Sequence, residues 1–244
     1  MNRILKAATH PRRVCSVVLK RMHPASVMNG IHSCRESLWV RKDSKHISRA
    51  GKVLFLDVGS NVGQGYSWFS RYYNQKNVTF ELFEPNPNCF KELLELPAVK
   101  SGGVKAHNCG VGVQAGTFKF YGLSDDEGGA LSQGGSFVKE HNSDFYEASQ
   151  SAAMDIEVID FAGFLTEKSQ EFDNVIVKMD IEGAEVDLLE SMIGNKSIAL
   201  IDVLYVEFHS QYMKKDQFDK VRSREIAILK SLKRIPDLKV RLWH

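Results

Sequence analysis

The 244-residue chain is predicted to fold as an α/β domain, a mostly parallel sheet with helices on both faces, preceded by a short helical arm. Three observations carry this. From Lys52 onward, apolar runs of strand length alternate with stretches of helical spacing, the pattern of a sheet whose crossovers are helices. The first run, Val53 to Val58, enters a glycine-rich turn, and later runs close on acidic residues. The composition, 43% hydrophobic and 25% charged, is that of a soluble globular domain and excludes disorder, a collagen-like repeat and a membrane bundle. Runs such as Val203 to Val206 are far shorter than the roughly 20 residues that span a bilayer.

The elements follow in order, with an arm over residues 1–51 and the main domain over 52–244. The arm reads as one or two amphipathic helices broken at Pro11 and Pro24, with Val14, Val17, Val18 and Met22 at helical spacing. Val53 to Val58 is a strand with both faces buried, Gly59 to Gly65 a turn, and Ser67 to Tyr73 a helix. Thr79 to Glu84 is the second strand. Asn86 as cap and Pro87 as first residue then start a helix running to Leu96. Val104 to Asn108 is the third strand. An irregular insertion follows, with short strands at Thr117 to Tyr121 and Ile156 to Ile159, a Gly/Ser/Asp loop from Gly122 to Gly135, and a helix from Phe161 to Lys168. That loop is expected to act as a lid or acceptor-binding segment. Val175 to Met179 resumes the sheet, Gly183 to Met192 is its helix, Val203 to Phe208 the next strand, Gln217 to Lys233 a long helix and Leu238 to Trp243 a last strand.

Charge is distributed unevenly. The first 52 residues hold twelve Lys or Arg and two acids, a net of +10, while the remaining 192 hold 20 basic and 28 acidic residues, a net of −8. A basic arm on an acidic body suits contact with an anionic membrane or glycan surface; its Arg-rich start also resembles a mitochondrial transit peptide. The apolar stretch from Val14 to Leu19 is too short for a secretory signal. The four cysteines, at 15, 34, 89 and 109, form no Cys-x-x-Cys pair, so reduced thiols and a cytoplasmic setting, peripheral to the inner membrane face through the arm, are expected.

The residues that carry chemistry stand at strand ends. In Phe55-Leu-Asp-Val-Gly-Ser-Asn-Val-Gly63 the glycines of a strand-to-helix turn let a ligand approach the backbone. A dinucleotide fingerprint needs glycines at the first, third and sixth positions, and Asn61 and Gln64 occupy the last two, so a nicotinamide-dependent oxidoreductase is disfavoured. In Phe83-Glu-Pro-Asn-Pro87, Glu84 can accept both hydroxyls of a ribose beside that turn. Val177-Lys-Met-Asp-Ile-Glu-Gly-Ala-Glu185 clusters three carboxylates; a helix start explains Glu182 and Glu185 through the dipole, but Asp180 closes a strand at the crevice where open sheets bind ligands. In Val206-Glu-Phe-His209, Glu207 and His209 alternate to one side of their strand.

These segments together resemble the signatures of FkbM-type methyltransferases over about residues 53 to 210, with Asp180-Ile-Glu-Gly-Ala-Glu185 the most specific part. The resemblance implies a Rossmann-like class I sheet, S-adenosylmethionine as methyl donor and a hydroxyl acceptor on a sugar, glycan or natural product. It assigns Asp57 to the cofactor's ammonium group, directly or through water, and brings Gly59, Ser60, Asn61, Gly63, Glu84, Pro85 and Asn108 to the same ligand.

Transfer to a hydroxyl calls for a base. His209 is the best candidate by its ordinary pKa and Asp180 the next, with Glu182 and Glu207 beside them. Asp180, Glu182, Glu207 and His209 could instead hold one divalent ion such as magnesium, a reading less favoured than the metal-free one. Methylation of a lipid is an alternative reaction, and a non-catalytic glycan- or nucleotide-binding relative an alternative role. Nucleic acid is not expected as a partner, since the body is acidic and lacks an Asn-Pro-Pro-Tyr or Asp-Pro-Pro-Tyr motif.

Overall fold

The computed structural model of the protein describes residues 24–47, 51–121, 135–139, 141–143, 146–147 and 153–243. The arm's expected helices before Pro24 and the expected lid from Gly122 to Gly135, except its last residue, lie outside these. The chain divides into two compact units, Met1–Asp43 and Ser44–His244. Helix α1, Pro24–Ile47, begins at the proline expected to interrupt the arm. Among the described residues no helix is long and apolar enough to cross a membrane.

In chain order the main unit contains β1 (Val53–Val58), α2 (Gln64–Phe69), β2 (Val78–Phe83), α3 (Pro87–Leu94), α4 (Pro97–Lys100), β3 (Val104–His107), β4 (Gly110–Gly112), β5 (Gly116–Phe120), β6 (Asn142–Ser143) and β7 (Tyr146–Glu147). It continues with β8 (Met154–Asp160), α5 (Phe161–Lys168), β9 (Asn174–Met179), α6 (Glu185–Gly194), β10 (Val203–Val206), α7 (Lys215–Leu232) and β11 (Lys239–Leu242). Six strands form one sheet in the order β3-β2-β1-β9-β10-β11, and every pair in it is parallel. The chain builds outward from β1 to β3, returns to lay β9 on the other side of β1, and builds outward again. The connections therefore diverge between β1 and β9, and their carboxyl ends open a crevice, the place where sheets of this kind bind ligands.

Strand β1 is buried along its whole length because it has a neighbour on each edge and a layer on each face. Leu54, Leu56 and Val58 share a core with Val177 and Met179 of β9, Leu189 of α6 and Ile228 of α7. Phe55, on the opposite face, packs its ring 5.0 Å from Phe69 of α2 and 4.9 Å from Phe80 of β2. Helices thus cover both faces, as expected. Full burial of one such side chain contributes about 1.5–3 kcal/mol. On the aromatic face Tyr73 and Tyr205 are both almost fully buried, and their hydroxyls satisfy each other at 2.8 Å.

The insertion is a second sheet, β4-β8-β5, with β4 parallel and β5 antiparallel to β8. The glycine-bounded β4 has too little apolar pattern to be read from sequence. Helix α3 starts as expected, with the Asn86 side chain accepting from the Asn88 amide and Pro87 at the first position. Helix α6 starts two residues later than expected, because Glu182 and Gly183 have φ of 52° and 101°, which no right-handed helix admits.

Candidate active site at the β1 and β9 strand ends

The turn after β1 is knitted to the end of β2. Gly59 and Ser60 amides donate to the Phe83 carbonyl at 3.1 and 2.9 Å, and Ser60 Oγ donates to the Asp57 carbonyl at 2.7 Å. The Asn61 amide donates to Glu84 Oε2 at 2.7 Å and the Asn86 amide to Glu84 Oε1 at 2.8 Å. Asn108 Nδ2 closes the same corner by donating to the carbonyls of Glu84 at 2.9 Å and Pro85 at 3.3 Å. Burial pushes the Glu84 carboxyl up to about 7, against the pull of those two amides. A carboxylate has about four acceptor positions, so after two amide bonds Glu84 retains capacity for the hydroxyls of a ribose.

The glycines of this turn have a second reason to be there. Gly59 has φ of 79°, and a Cβ on it would lie 1.8 Å from the Asp180 carbonyl oxygen; one on Gly63, at φ of 92°, would lie 2.5 Å from Leu96 Cδ1. Their missing side chains admit other parts of the same chain.

Across the crevice, β1 and β9 pair Asp57 with Lys178. Lys178 Nζ donates to the Gly59 carbonyl at 2.8 Å and lies 3.3 Å from Asp57 Oδ1 and 3.1 Å from Asp180 Oδ2. Burial works against the lysine's charge, but Asp180 and Asp57 outweigh it and raise its pKa above the ordinary lysine range. Asp57 is fully buried, and both its oxygens lack a formed hydrogen bond among the described residues. Burial raises its pKa, with Lys178 opposing. Its carboxylate faces Lys178 and the backbone of Gly65, where a Cβ would come within 2.8 Å of Oδ2. The alternation of β1, β9 and β10 puts Asp57, Lys178, Asp180 and Glu207 on the sheet face that α2 covers.

A third group gathers around His209. Strand β10 ends at Val206, so His209 lies beyond the regular strand, at the start of a short 3-10 turn over Ser210–Tyr212. His209 Nδ1 meets Glu185 Oε1 at 2.9 Å, while Nε2 stands 3.5 Å from both Asp180 Oδ1 and Glu182 Oε2. Burial disfavours the imidazolium, but Glu185, Glu182 and Asp180 overcome it and push the pKa up to about 10. Near neutral pH this histidine is therefore charged. Burial pushes Glu182 up to about 8, with His209 opposing and the neighbouring acids adding to the rise. Half-buried Glu207 joins through space, its pKa raised first by burial and then by Asp180.

Lys178, Glu185 and His141 were not among the sequence-derived site residues. His141 is fully buried, with Nε2 3.5 Å from Glu182 Oε2, and burial followed by the charge of His209 lowers its pKa to about 4. Ser136 Oγ, from the same segment, donates to the Glu182 carbonyl at 2.6 Å. A lone buried lysine in the apolar run Val175 to Met179 was the available signal for Lys178; His141, in a segment without periodicity, offered none.

The arrangement has two chemical capacities. At the corner of Glu84, Asn61 and Asn108, the Glu84 carboxylate keeps acceptor positions after taking the Asn61 and Asn86 amides. Beside it, an imidazolium set among carboxylates can take up and redistribute a proton. One ligand atom from each of Asp180, Glu182 and His209 also lies within 4.8 Å of the others, close enough for one divalent cation to reach all three.

A family model described as "Methyltransferase FkbM domain" matches residues 57–230. No curated protein matches the chain. Among solved structures, the crystal structure of methyltransferase FkbM from Methylobacillus flagellatus KT is similar at 12% identity and a TM-score of 0.36, over 91% of this chain and 54% of that one. The chain thus spans about half the length of that relative. The family match runs from Asp57 into α7 and takes in the β2 corner, the β9 turn and the His209 group, and on that match the chain belongs to the methyltransferase FkbM domain family.

Proposed function

We propose that the protein is an S-adenosylmethionine-dependent O-methyltransferase whose acceptor is a hydroxyl of a sugar or glycan. The observation that carries the reading is that Glu84, at the end of β2, and the carboxylates around His209, beyond the ends of β9 and β10, flank the β1/β9 crevice of a chain in a methyltransferase family. The residues present fit the cofactor at its ribose, since Glu84 retains acceptor positions after its two amide bonds, and the turn of Gly59, Ser60, Asn61 and Gly63 holds that carboxylate in place. In this reading Asp57, Glu84, Pro85 and Asn108 complete the cofactor site, and Asp57, being buried, acts through water or the turn's backbone. Bound S-adenosylmethionine supplies a methyl group on a sulfonium, which leaves by in-line displacement as sulfur keeps the bonding pair.

The chain's own task is then to place the hydroxyl oxygen behind that methyl group, exclude water and take the hydroxyl proton. A histidine already protonated at rest cannot be the base alone. The proton is taken by the carboxylates of Asp180 and Glu182, which stand 3.5 Å from His209 Nε2. Glu207 adds negative charge that favours proton uptake. Lys178 holds Asp180 by one oxygen and leaves Oδ1 turned toward His209.

The test is a mass-spectrometric screen of labelled S-adenosylmethionine against deoxysugars and polysaccharide fragments. Label in an ether-linked methyl of a sugar is expected; transfer only to natural products or lipids, or binding without transfer, contradicts the reading. The +10 of the first 52 residues supports a further part of it, attraction to an anionic membrane or glycan surface. Co-sedimentation with anionic liposomes should vanish at high salt and on removal of residues 1–45; binding that survives removal contradicts that part.

A further inference from the structure

Glu185 is the first residue of α6 and is fully buried, yet it lies outside the acids that line the crevice. Its Oε1 accepts from the Ile181 amide at 2.8 Å and its Oε2 from the Gly183 amide at 3.0 Å. These bonds fix the carboxylate against the turn that carries Asp180 and Glu182, where Glu182 and Gly183 both have positive φ. An anion at a helix start is favourable in itself, and two amide bonds would complete that role. Glu185 makes a third contact, to His209 Nδ1 at 2.9 Å, which the helix does not need.

The consequence lies at the other ring nitrogen. With Nδ1 held, Nε2 is directed between Asp180 Oδ1 and Glu182 Oε2, each at 3.5 Å, beyond the range of a good hydrogen bond. That nitrogen is left to a third group entering between the two carboxylates. His141 and Tyr212 wall the ring, with ring centres 6.2 and 5.9 Å from that of His209. The ring's direction is therefore set from Glu185, in the manner of a buried acid that orients a working histidine.

We propose that Glu185 is a positioning residue, holding His209 by Nδ1 so that Nε2 is the nitrogen presented to the acceptor hydroxyl. The inference rests on the methyltransferase reading for the identity of what enters, but the positioning has a readout of its own. In uniformly ¹⁵N-labelled protein, long-range ¹H–¹⁵N correlation of the imidazoles should contain one ring with a slowly exchanging Hδ1, assigned by its loss in His209→Asn. In Glu185→Ala, which removes the acceptor, that Hδ1 resonance should disappear while the backbone amide spectrum stays native. Survival of the resonance in Glu185→Ala overturns the proposal. If that variant does not fold, Glu185→Asp is read the same way, and failure of both to fold overturns it in favour of a purely structural carboxylate. Absence of calorimetric binding of S-adenosylhomocysteine to the wild-type protein would sink the methyltransferase reading instead, and leaves the resonance test to report on Glu185 alone.

Discussion

Gly59 and Asp180 are packed so closely that a Cβ on Gly59 would lie 1.8 Å from the Asp180 carbonyl oxygen. The turn after β1 and the turn after β9 are in backbone contact at the base of the crevice, so the spacing of the two halves of the site depends on a missing side chain. Gly59→Ala should cost at least about 4 kcal/mol or prevent folding, since left-handed strain and backbone overlap add. Gly102→Ala is the control. Its φ is 75°, but nothing lies within 4 Å of the added Cβ, so it should cost only about 1–2 kcal/mol. Urea unfolding of the two variants measures the difference; equal losses would mean that the Asp180 contact yields without cost.

Glu81 predicts how the fold responds to acid. Its side chain is 4% exposed, with Lys168 Nζ 2.6 Å from Oε1 and His107 Nε2 2.8 Å from Oε2. Burial opposes its charge, but His107 and Lys168 lower its pKa to about 2. A depressed carboxyl stabilises the fold at pH values above the ordinary carboxylate range and loses that contribution as pH falls toward 2. The contribution is about 3 kcal/mol at neutral pH. Glu81→Gln should lower stability by a similar amount and flatten the decline between about pH 5 and 2 in denaturant titrations. An unchanged decline would show that other groups carry the acid response.

Asp180→Asn tests the proton acceptor. The substitution keeps the shape and removes the charge that faces both Lys178 and His209. Affinity for S-adenosylmethionine should stay within a few-fold, while turnover of an identified sugar acceptor falls by at least about 10²-fold. Turnover near the wild-type rate would rule out the cluster as the proton's destination. A chelator should leave the wild-type rate unchanged; its loss would favour the cation reading of the same three donors.

Much of this was legible in the sequence, for local reasons. An unbroken apolar run followed by glycine marks β1, and carboxylates that end such runs mark the crevice, which is how Asp57, Glu84 and Asp180 came to notice. What stayed hidden depends on pairings between distant segments. Lys178 looks out of place within β9 until the parallel register sets it opposite Asp57. Glu185 has a sufficient local explanation at a helix start, and its bond to His209 exists only once β10 lies beside β9. His141 comes from the insertion, where no periodicity guides the eye. The ordinary pKa of histidine favours His209 as a simple base, and three acids in the folded chain displace that pKa.

Calorimetric titration of the wild-type protein against Glu84→Ala tests most directly whether the β2 corner binds S-adenosylmethionine. The wild type should bind at one site with micromolar affinity, and the variant about 10–100-fold more weakly, as expected when charge-assisted bonds worth about 1.5–3 kcal/mol are lost. Wild-type affinity should also weaken as pH falls through about 7, where burial has placed the Glu84 carboxyl, because protonation removes acceptor capacity from the ribose hydroxyls. Equal affinity in the two proteins at every pH, with the variant folded, would contradict the account.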